Sequence, residues 1–410
     1  MRDLNRPRLL VLTSTFPRWP GDKEPAFVYE LSRRLTDRFA VTVLAPRAPG
    51  SQEQESMEGL EVRRFGYFFK RWESLATHGG GILNRLRVNP FNYLLVPPFL
   101  LGQLWSLVRL LRQDPIDLIH AHWLIPQGLV ALIGCRLAGL SIPVVTTSHG
   151  GDLYALRGRL MQRLKSWVMA NSRHLTAVSA AMRSDVIGMG IPPDRVSVVS
   201  MGVDLHFRFT PDPNTQRDPA GLLFVGRLVE KKGLAVLIEA LPRLIERRPE
   251  TTLTVAGAGP LELEIKRLAA DLGVIEHVRF LGMVGQEELP PLMRRASLLV
   301  VPFLIAKGGD QEGLGLVSVE AAGCECPVIA GDVPAVRDVI ADGETGILVP
   351  PGEPVALAAS ITELLADPDR RARLGRAART YCLGRFDWES IAEHYGELLL
   401  AQIGRGDSRF

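Results

Sequence analysis

Two glutamates, Glu312 and Glu320, stand eight positions apart in EGLGLVSVEAAGCECPVIA, and upstream the strand-like run GLLFVG leads into Gly226-Arg227 and Glu230-Lys231-Lys232-Gly233. Both stretches ask for the same kind of ligand. Gly313 and Gly315 let backbone approach a bound group, and the apolar run after them reads as a buried helix whose free N-terminal amides favour an anion. Glu312 precedes that helix and Glu320 lies about two turns on, so their carboxylates project to different parts of one ligand. In a chain with only seven lysines, Lys231 and Lys232 stand out. With Arg227 at a strand-to-helix turn they supply the charge that a phosphate needs. A hydroxyl-rich ligand carrying a diphosphate would use all of this: carboxylates accept sugar hydroxyls at its two ends, while amides and cations hold the phosphates between. Each piece has a bland reading, a solvated basic loop or a chance pair of glutamates. Their coupling is what argues against chance.

A second group lies in the first half. His149, in TTSHGGDLY, directly follows a strand-like run, with Gly150 and Asp152 after it. His120 and His122, in IHAHW, lie along another strand, where only one of them is expected to face a cleft, and their role is undecided. A lone histidine is ordinarily a satisfied structural residue. Cys324 and Cys326 are expected to pack in the core.

Elements that could position these residues recur in both halves. Short β-rich runs alternate with helical patterns: RLLVLTS, FAVTVLAP, DLIHAHW, PVVTTSHG, HLTAVS and VSVVSMG, then GLLFVGRL, TLTVAGAG, VRFLG, SLLVVPF, PVIAG and GILVP. That alternation is the signature of parallel sheets with crossover helices. The expected class is α/β, with two Rossmann-like, doubly wound domains: residues 1–205, then 221–384, joined by a Pro-, Asp- and Asn-rich linker at 206–220. Open parallel sheets bind ligands beyond the carboxyl ends of their strands, so two such domains facing each other are expected to enclose a cleft.

Composition sets the outer bounds. With 46% hydrophobic and 23% charged residues the chain reads as soluble and globular, large enough for two or three domains. Four scattered cysteines do not make a disulfide framework, and Cys324-Glu-Cys326 lacks the spacer usual at zinc sites. The N-terminus has no signal-peptide pattern, so a cytoplasmic location is expected. Phe91 to Leu111 is the most apolar segment, but Pro97, Pro98, Gly102, Gln103 and Arg109 interrupt it and argue against a spanning helix. Core packing and a helix lying on a membrane stay open. Residues 1–205 carry 25 Lys+Arg against 16 Asp+Glu, a balance of +9, and residues 206–410 carry 23 against 29, a balance of −6. Sampling scatter is one account of this split. The other is that the first half meets an anionic partner, such as lipid phosphate or a membrane surface.

Taken in order and at these intervals, FVGRLVEKKG, VAGAGP, FLGMV, EGLGLVSVEAAGCECPVIA and GETGILVPPGEP resemble a retaining GT-B glycosyltransferase of glycosyltransferase family 4. The likeness covers nearly the whole chain and is strongest over residues 221–352. It implies that Arg227 and Lys232 hold the donor diphosphate, with Lys231 the lesser of the lysines because the pattern sets its lysine directly before the glycine. Glu312 is implied at the transferred sugar, Glu320 at the nucleotide ribose, and the amides of Gly313, Leu314, Gly315, Leu316 and Val317 at phosphate or sugar. Gly226 lies in the phosphate turn, and Gly282, Met283 and Val284 resemble the loop that receives the base. His149, with Gly150 and Asp152, matches the family's H-G-x-D pattern. The closing FDWESIAEHYGELLLAQ resembles the helix, about 385–410, that returns to the first domain. Two departures stand out: a glycine pair is reduced to Gly21 in FPRWPGDKEPAF, and the usual Asn before Gly-Val-Asp is Met201.

The reading is an enzyme that moves a hexosyl group from a UDP- or GDP-linked sugar to an acceptor hydroxyl with retention. Its departing diphosphate, neutralised by Arg227, Lys232 and helix N-termini, would help deprotonate the incoming hydroxyl. His149 would bind the sugar or steady the cationic transition state. No cofactor is expected, no metal and no nucleic acid. The acceptor is a glycan, and a lipid-linked one is favoured by the basic flanks Lys70-Arg71 and Arg85, Arg87 beside the apolar FNYLLVPPFLLGQLW. Those features also predict peripheral contact with the inner face of the plasma membrane. A soluble acceptor, a non-catalytic nucleotide-sugar-binding protein and a UDP-sugar 2-epimerase are the rival readings; the epimerases lack the paired GR…KKG and E-x7-E pattern.

Overall fold

The computed structural model describes residues 6–403 apart from 20, 23–24, 74, 77–81, 83–84 and 87–88, so Arg87 lies outside the described residues. The chain forms two compact units. The first runs to Val178 and takes in Met182–Gly202 and the chain from Ile391; the second holds Ser179–Ala181 and Val203–Ser390.

The sheet of the first unit is built from β1 Arg8–Leu12, β2 Ala40–Pro46, β3 Gln54–Met57, β4 Leu60–Phe65, β5 Leu118–His122, β6 Val144–Ser148, β7 His174–Ala177 and β8 Val196–Val198. Its order is β3-β4-β2-β1-β5-β6-β7-β8, parallel except for β3 against β4. That antiparallel hairpin was not among the expected strands. Its signal is the Glu58-Gly59 turn, both residues at positive φ, as a two-residue hairpin loop requires. Central strands such as β5 and β6 are buried along their whole length, as parallel strands covered on both faces must be. One core joins Leu10, Leu12, Ile119 and Val144 to Phe99 and Leu107 of helix Val96–Gln113.

That helix packs one face into the core and leaves the other uncovered. By length and composition Pro90–Gln113 could cross a membrane, yet it buries Phe99, Gln103, Leu107, Leu110 and Leu111 in the unit's core. Its other face leaves Leu101 and Trp105 exposed, and Phe91, Tyr93 and Leu94 before it are exposed as well. Leu101 and Trp105 are one turn apart and share a face.

The second unit carries β9 Gly221–Val225, β10 Thr252–Ala256, β11 Val278–Gly282, β12 Leu298–Val301, β13 Val328–Gly331 and β14 Ile347–Val349, in the order β11-β10-β9-β12-β13-β14 with every pairing parallel. Leu222, Phe224, Val255 and Val300 pack with Leu237, Leu241 and Ile361 from the covering helices.

Residues 206–220 are not a free linker. The break falls between Gly202 and Val203, and the Pro- and Asp-rich stretch is fastened to the second unit. Arg217 donates to the carbonyls of Met293, Ala296, Cys324 and Glu325, and Asp218 N–H donates to the Arg295 carbonyl at 2.8 Å. Composition marked the absence of regular structure there, but one arginine capping four carbonyls supplies the order that periodicity would have shown. The closing helix Trp388–Ile403 belongs to the first unit from Ile391 onward and buries Tyr395 and Leu399.

Candidate active site

In the second unit, β9 ends at Gly226-Arg227 and the chain makes one 3-10 turn, Glu230–Lys232, before helix Leu234–Arg247. Gly233 sits between them at φ +70°, where a Cβ would lie 1.8 Å from the Pro302 carbonyl oxygen, so only glycine fits. Because β12 pairs with β9, the loop after β12 runs beside this turn. The adjacent lysines therefore reach different parts of that loop. Lys231 is buried and donates to Asp310 at 3.0 Å and to the Gln311 carbonyl at 2.9 Å, which pins the loop down. Lys232 lies over the Phe303 ring at 4.9 Å and forms an ion pair with Glu312 at 2.7 Å. Burial by itself would raise the Glu312 carboxyl; Lys232, Lys231 and Arg227 outweigh it and hold it at about 2. Arg227 is exposed and, among the described residues, has no ion-pair partner.

From Glu312 the chain passes through Gly313, Leu314 and Gly315, all buried, into helix Leu316–Gly323. Gly315 is its N-cap at φ +87°, and a Cβ there would press on the Phe303 ring at 3.2 Å. The same Phe303 thus shapes both the lysine and the helix entry. Leu316 and Val317 open the helix, and Glu320 stands on its second turn, where burial raises its carboxyl to about 7 against a Gln286 hydrogen bond and the charges of Lys232 and Arg208. β11 ends at Gly282, φ +69°, whose carbonyl accepts from Gly257 N–H at 2.7 Å. Met283 beyond it is 72% exposed, and Val284 is partly covered. The second unit thus offers two cations, a helix N-terminus and two carboxylates of unlike acidity, one held ionised and one raised towards neutrality.

In the first unit, His149 follows β6, and Gly150 takes φ +91° so that the chain turns sharply after it. Asp152 is buried, and its carboxylate accepts from Leu124 N–H at 2.7 Å, Ser148 Oγ at 2.9 Å and His149 N–H at 3.1 Å. Asp152 thereby ties the loop after β5 to the loop after β6. Its acceptors are spent on the protein, which makes it a fastener of His149. Lys165, fully buried, donates to the Leu153 carbonyl at 2.6 Å and the Leu156 carbonyl at 3.0 Å and fixes the far end of the same loop. The His149 ring packs against Phe27 and Trp123, centroids 5.0 and 4.9 Å away. Gly21, at φ +80°, lies in the loop after β1 with nothing within 4 Å of where a Cβ would be, and Arg18 bonded to Asp22 braces that loop.

The expectation that only one of His120 and His122 could face a cleft is overturned. Residues two apart on a strand share a face, and their rings lie 4.3 Å apart. Both are buried on that face: His120 bonds Thr147 at 2.7 Å and His122 Nδ1 bonds His149 Nε2 at 3.0 Å. Burial lowers His120 and His149 to about 3, and burial with its two histidine neighbours pushes His122 well down too, so all three are neutral near pH 7.

Comparison with known proteins decides what this arrangement belongs to. Residues 26–207 match the model described as "Glycosyltransferase Family 4" and residues 208–381 the one described as "Glycosyl transferases group 1". A GDP-mannose-dependent alpha-(1-6)-phosphatidylinositol monomannoside mannosyltransferase of Mycolicibacterium smegmatis is 30% identical over 98% of this chain and 100% of its own. The chain belongs to glycosyltransferase family 4. A D-inositol 3-phosphate glycosyltransferase of Frankia alni is 36% identical over 67% of this chain and 72% of its own. Among solved structures, sucrose-phosphate synthase from Thermosynechococcus elongatus matches with a TM-score of 0.77 at 22% identity, covering 97% of this chain and 99% of that one. Anabaena HepE in complex with UDP-glucose matches at 0.72 and 20%, covering 96% and 99%. The family 4 fold is GT-B, and this family 4 chain is a glycosyltransferase that acts with a nucleotide sugar.

Several residues that brace these loops in one unit or the other of this family 4 chain were not singled out by the sequence. Phe27 and Lys165 sit in ordinary amphipathic patterns, and Asp310 and Gln286 lie in loops whose contacts depend on strand order. Trp123 carries a signal only in three dimensions: φ +77°, a strained value for a side-chain-bearing residue, directly beneath His149.

Proposed function

We propose that this enzyme transfers a hexosyl group, with retention and without a metal ion, from a UDP- or GDP-linked sugar to a hydroxyl of a lipid-linked glycan. Arg227 and Lys232 neutralise the diphosphate as it departs, aided by the amides of Gly313 to Val317. Glu312 binds the transferred sugar, Glu320 accepts the ribose hydroxyls, and the backbone from Gly282 to Val284 receives the base. His149 binds the sugar or steadies the cationic transition state. The departing phosphate oxygen takes the proton of the incoming hydroxyl. What carries this reading is the pairing of Lys232 with Glu312 at the entry to helix Leu316–Gly323. It puts a cation for phosphate and a carboxylate for sugar hydroxyls 2.7 Å apart.

Support for the acceptor comes from the mannosyltransferase relative of Mycolicibacterium smegmatis, named for a phosphatidylinositol monomannoside, and from the surface of the first unit. Phe69, Trp72, Leu101 and Trp105 are each more than half exposed there, with Lys70 and Arg71 among them. Large exposed apolar side chains beside cations suit a membrane surface, and a peripheral position on an anionic leaflet follows. The test is a panel of UDP- and GDP-linked hexoses incubated with phosphatidylinositol-mannoside and soluble glycoside acceptors, with EDTA, and product anomers read by NMR. An α-linked lipid product that survives chelation is expected. An inverted product, or transfer only to soluble acceptors, would overturn the corresponding part.

A further inference from the structure

His122 is a buried titratable group to which the transfer reaction gives no part. It lies two residues from His120 on β5, whose Nε2 is held by Thr147, itself bonded to Thr176 at 2.5 Å. The His120 ring is thereby fixed, and His122 is packed against it. On its other side His122 meets His149: Nδ1 to Nε2 is 3.0 Å, with the two rings 14° from parallel. Two neutral imidazoles joined in this way leave one question, which of the two nitrogens carries the proton.

The environment of His122 decides it. Its Nε2 is buried with no partner. If His149 donated, the His122 proton would sit on that Nε2 as a buried N–H without an acceptor, an arrangement native proteins avoid more strongly than an unmet acceptor. If His122 Nδ1 donates, only a bare lone pair is buried. His149 Nε2 is then an acceptor, and the proton of its ring lies on Nδ1, the nitrogen left for a ligand. We propose that His122 is a positioning residue that holds His149 in its Nδ1–H form, so that His149 meets the sugar as a hydrogen-bond donor and never as a base. The inference rests on His149 being a sugar-binding group. It also places the burden of deprotonating the incoming hydroxyl wholly on the departing phosphate, because a ring nitrogen that already carries its proton has no in-plane lone pair to take another, and the other nitrogen is occupied by His122.

The test reads protonation directly. Histidine-selective 15N labelling of the full chain and long-range 1H–15N correlation at pH 7.5 report the tautomer of His149, identified by the signals lost in His149→Ala. Expected is a single Nδ1–H pattern in the wild type, a mixed or Nε2–H pattern in His122→Phe, and a return of Nδ1–H in His122→Asn, whose amide can donate from nearly the same place. Turnover should fall at least tenfold in His122→Phe and recover to within threefold in His122→Asn. An Nε2–H or charged His149 in the wild type overturns the proposal without any variant, and so does an unchanged tautomer in His122→Phe. If the tautomers behave as expected while His149→Ala keeps full turnover, the assignment of His149 to the sugar fails and the direction of the hydrogen bond stands.

Discussion

Replacing Glu312 by Gln should tighten the binding of a nucleoside diphosphate while slowing transfer. In the free enzyme Lys232 already has an anion, the Glu312 carboxylate 2.7 Å away, and both side chains are largely covered, at 13% and 15% exposure. A phosphate arriving at Lys232 must take the place of that carboxylate and then share the site with its negative charge. A charge-assisted bond in such surroundings contributes about 1.5–3 kcal/mol. Glutamine keeps the size and one acceptor but removes the charge, so most of that internal competition disappears. At about 1.4 kcal/mol per tenfold, the gain is on the order of 10- to 100-fold in the dissociation constant. Turnover should fall, because the sugar loses the carboxylate that would accept its hydroxyls. Isothermal titration of nucleoside diphosphate and of the bare nucleoside into wild type and Glu312→Gln separates the causes: only the diphosphate should gain. The gain should vanish when Lys232→Met is added, since a coupling carried by one pair disappears with either partner. An unchanged or weaker diphosphate affinity in Glu312→Gln would refute the competition, and an equal gain for the bare nucleoside would show that the pocket had merely loosened.

Four further outcomes are expected. Glu320, raised to about 7, must be ionised to accept two ribose hydroxyls, so nucleoside affinity should rise about tenfold per pH unit up to 7 and level off above it, and Glu320→Gln should flatten the curve. The same shift bears on stability: a carboxyl raised from 4.5 in the unfolded chain favours the folded state below pH 4.5 and loses that contribution as pH climbs through 7, so Glu320→Gln should melt higher than wild type at pH 8 and not at pH 4.5. Lys231→Ala removes a cation from the part-buried Asp310 and a donor from the Gln311 carbonyl and should cost about 1–3 kcal/mol in thermal or urea unfolding, with little change in diphosphate affinity of the folded enzyme. Flotation with anionic liposomes at low salt should be lost at high salt and weakened in Trp72→Ala with Trp105→Ala; equal flotation of that double variant would place the membrane contact elsewhere.

The turn after β9 and the loop into helix Leu316–Gly323 were legible in sequence because their geometry is local. A glycine that alone fits beside Pro302, a lysine before it, and a helix entered through Gly313 and Gly315 lie within short stretches, and strand-to-helix turns put such stretches at the end of a parallel sheet whatever the rest of the chain does. The different contacts of Lys231 and Lys232 follow from one residue of offset on a 3-10 turn, which sends neighbouring side chains apart; their ranking at a phosphate was implied only by the family pattern that sets its lysine directly before the glycine. The first unit resisted the same reading because its residues act across strands. His122 and His149 are 27 positions apart and meet because β5 pairs with β6 in the register His122↔Thr147. No local pattern contains that register. Asp152 likewise reaches Leu124 across 28 positions. The linker failed for the opposite reason: its composition reports only that the segment lacks helix and strand, whereas the order comes from Arg217 finding carbonyls 76 to 108 positions away. A motif can therefore mark a local turn, but the contacts made across strands are set by sheet order, and in this chain His149 meets a histidine whose own spacing is that of any buried strand.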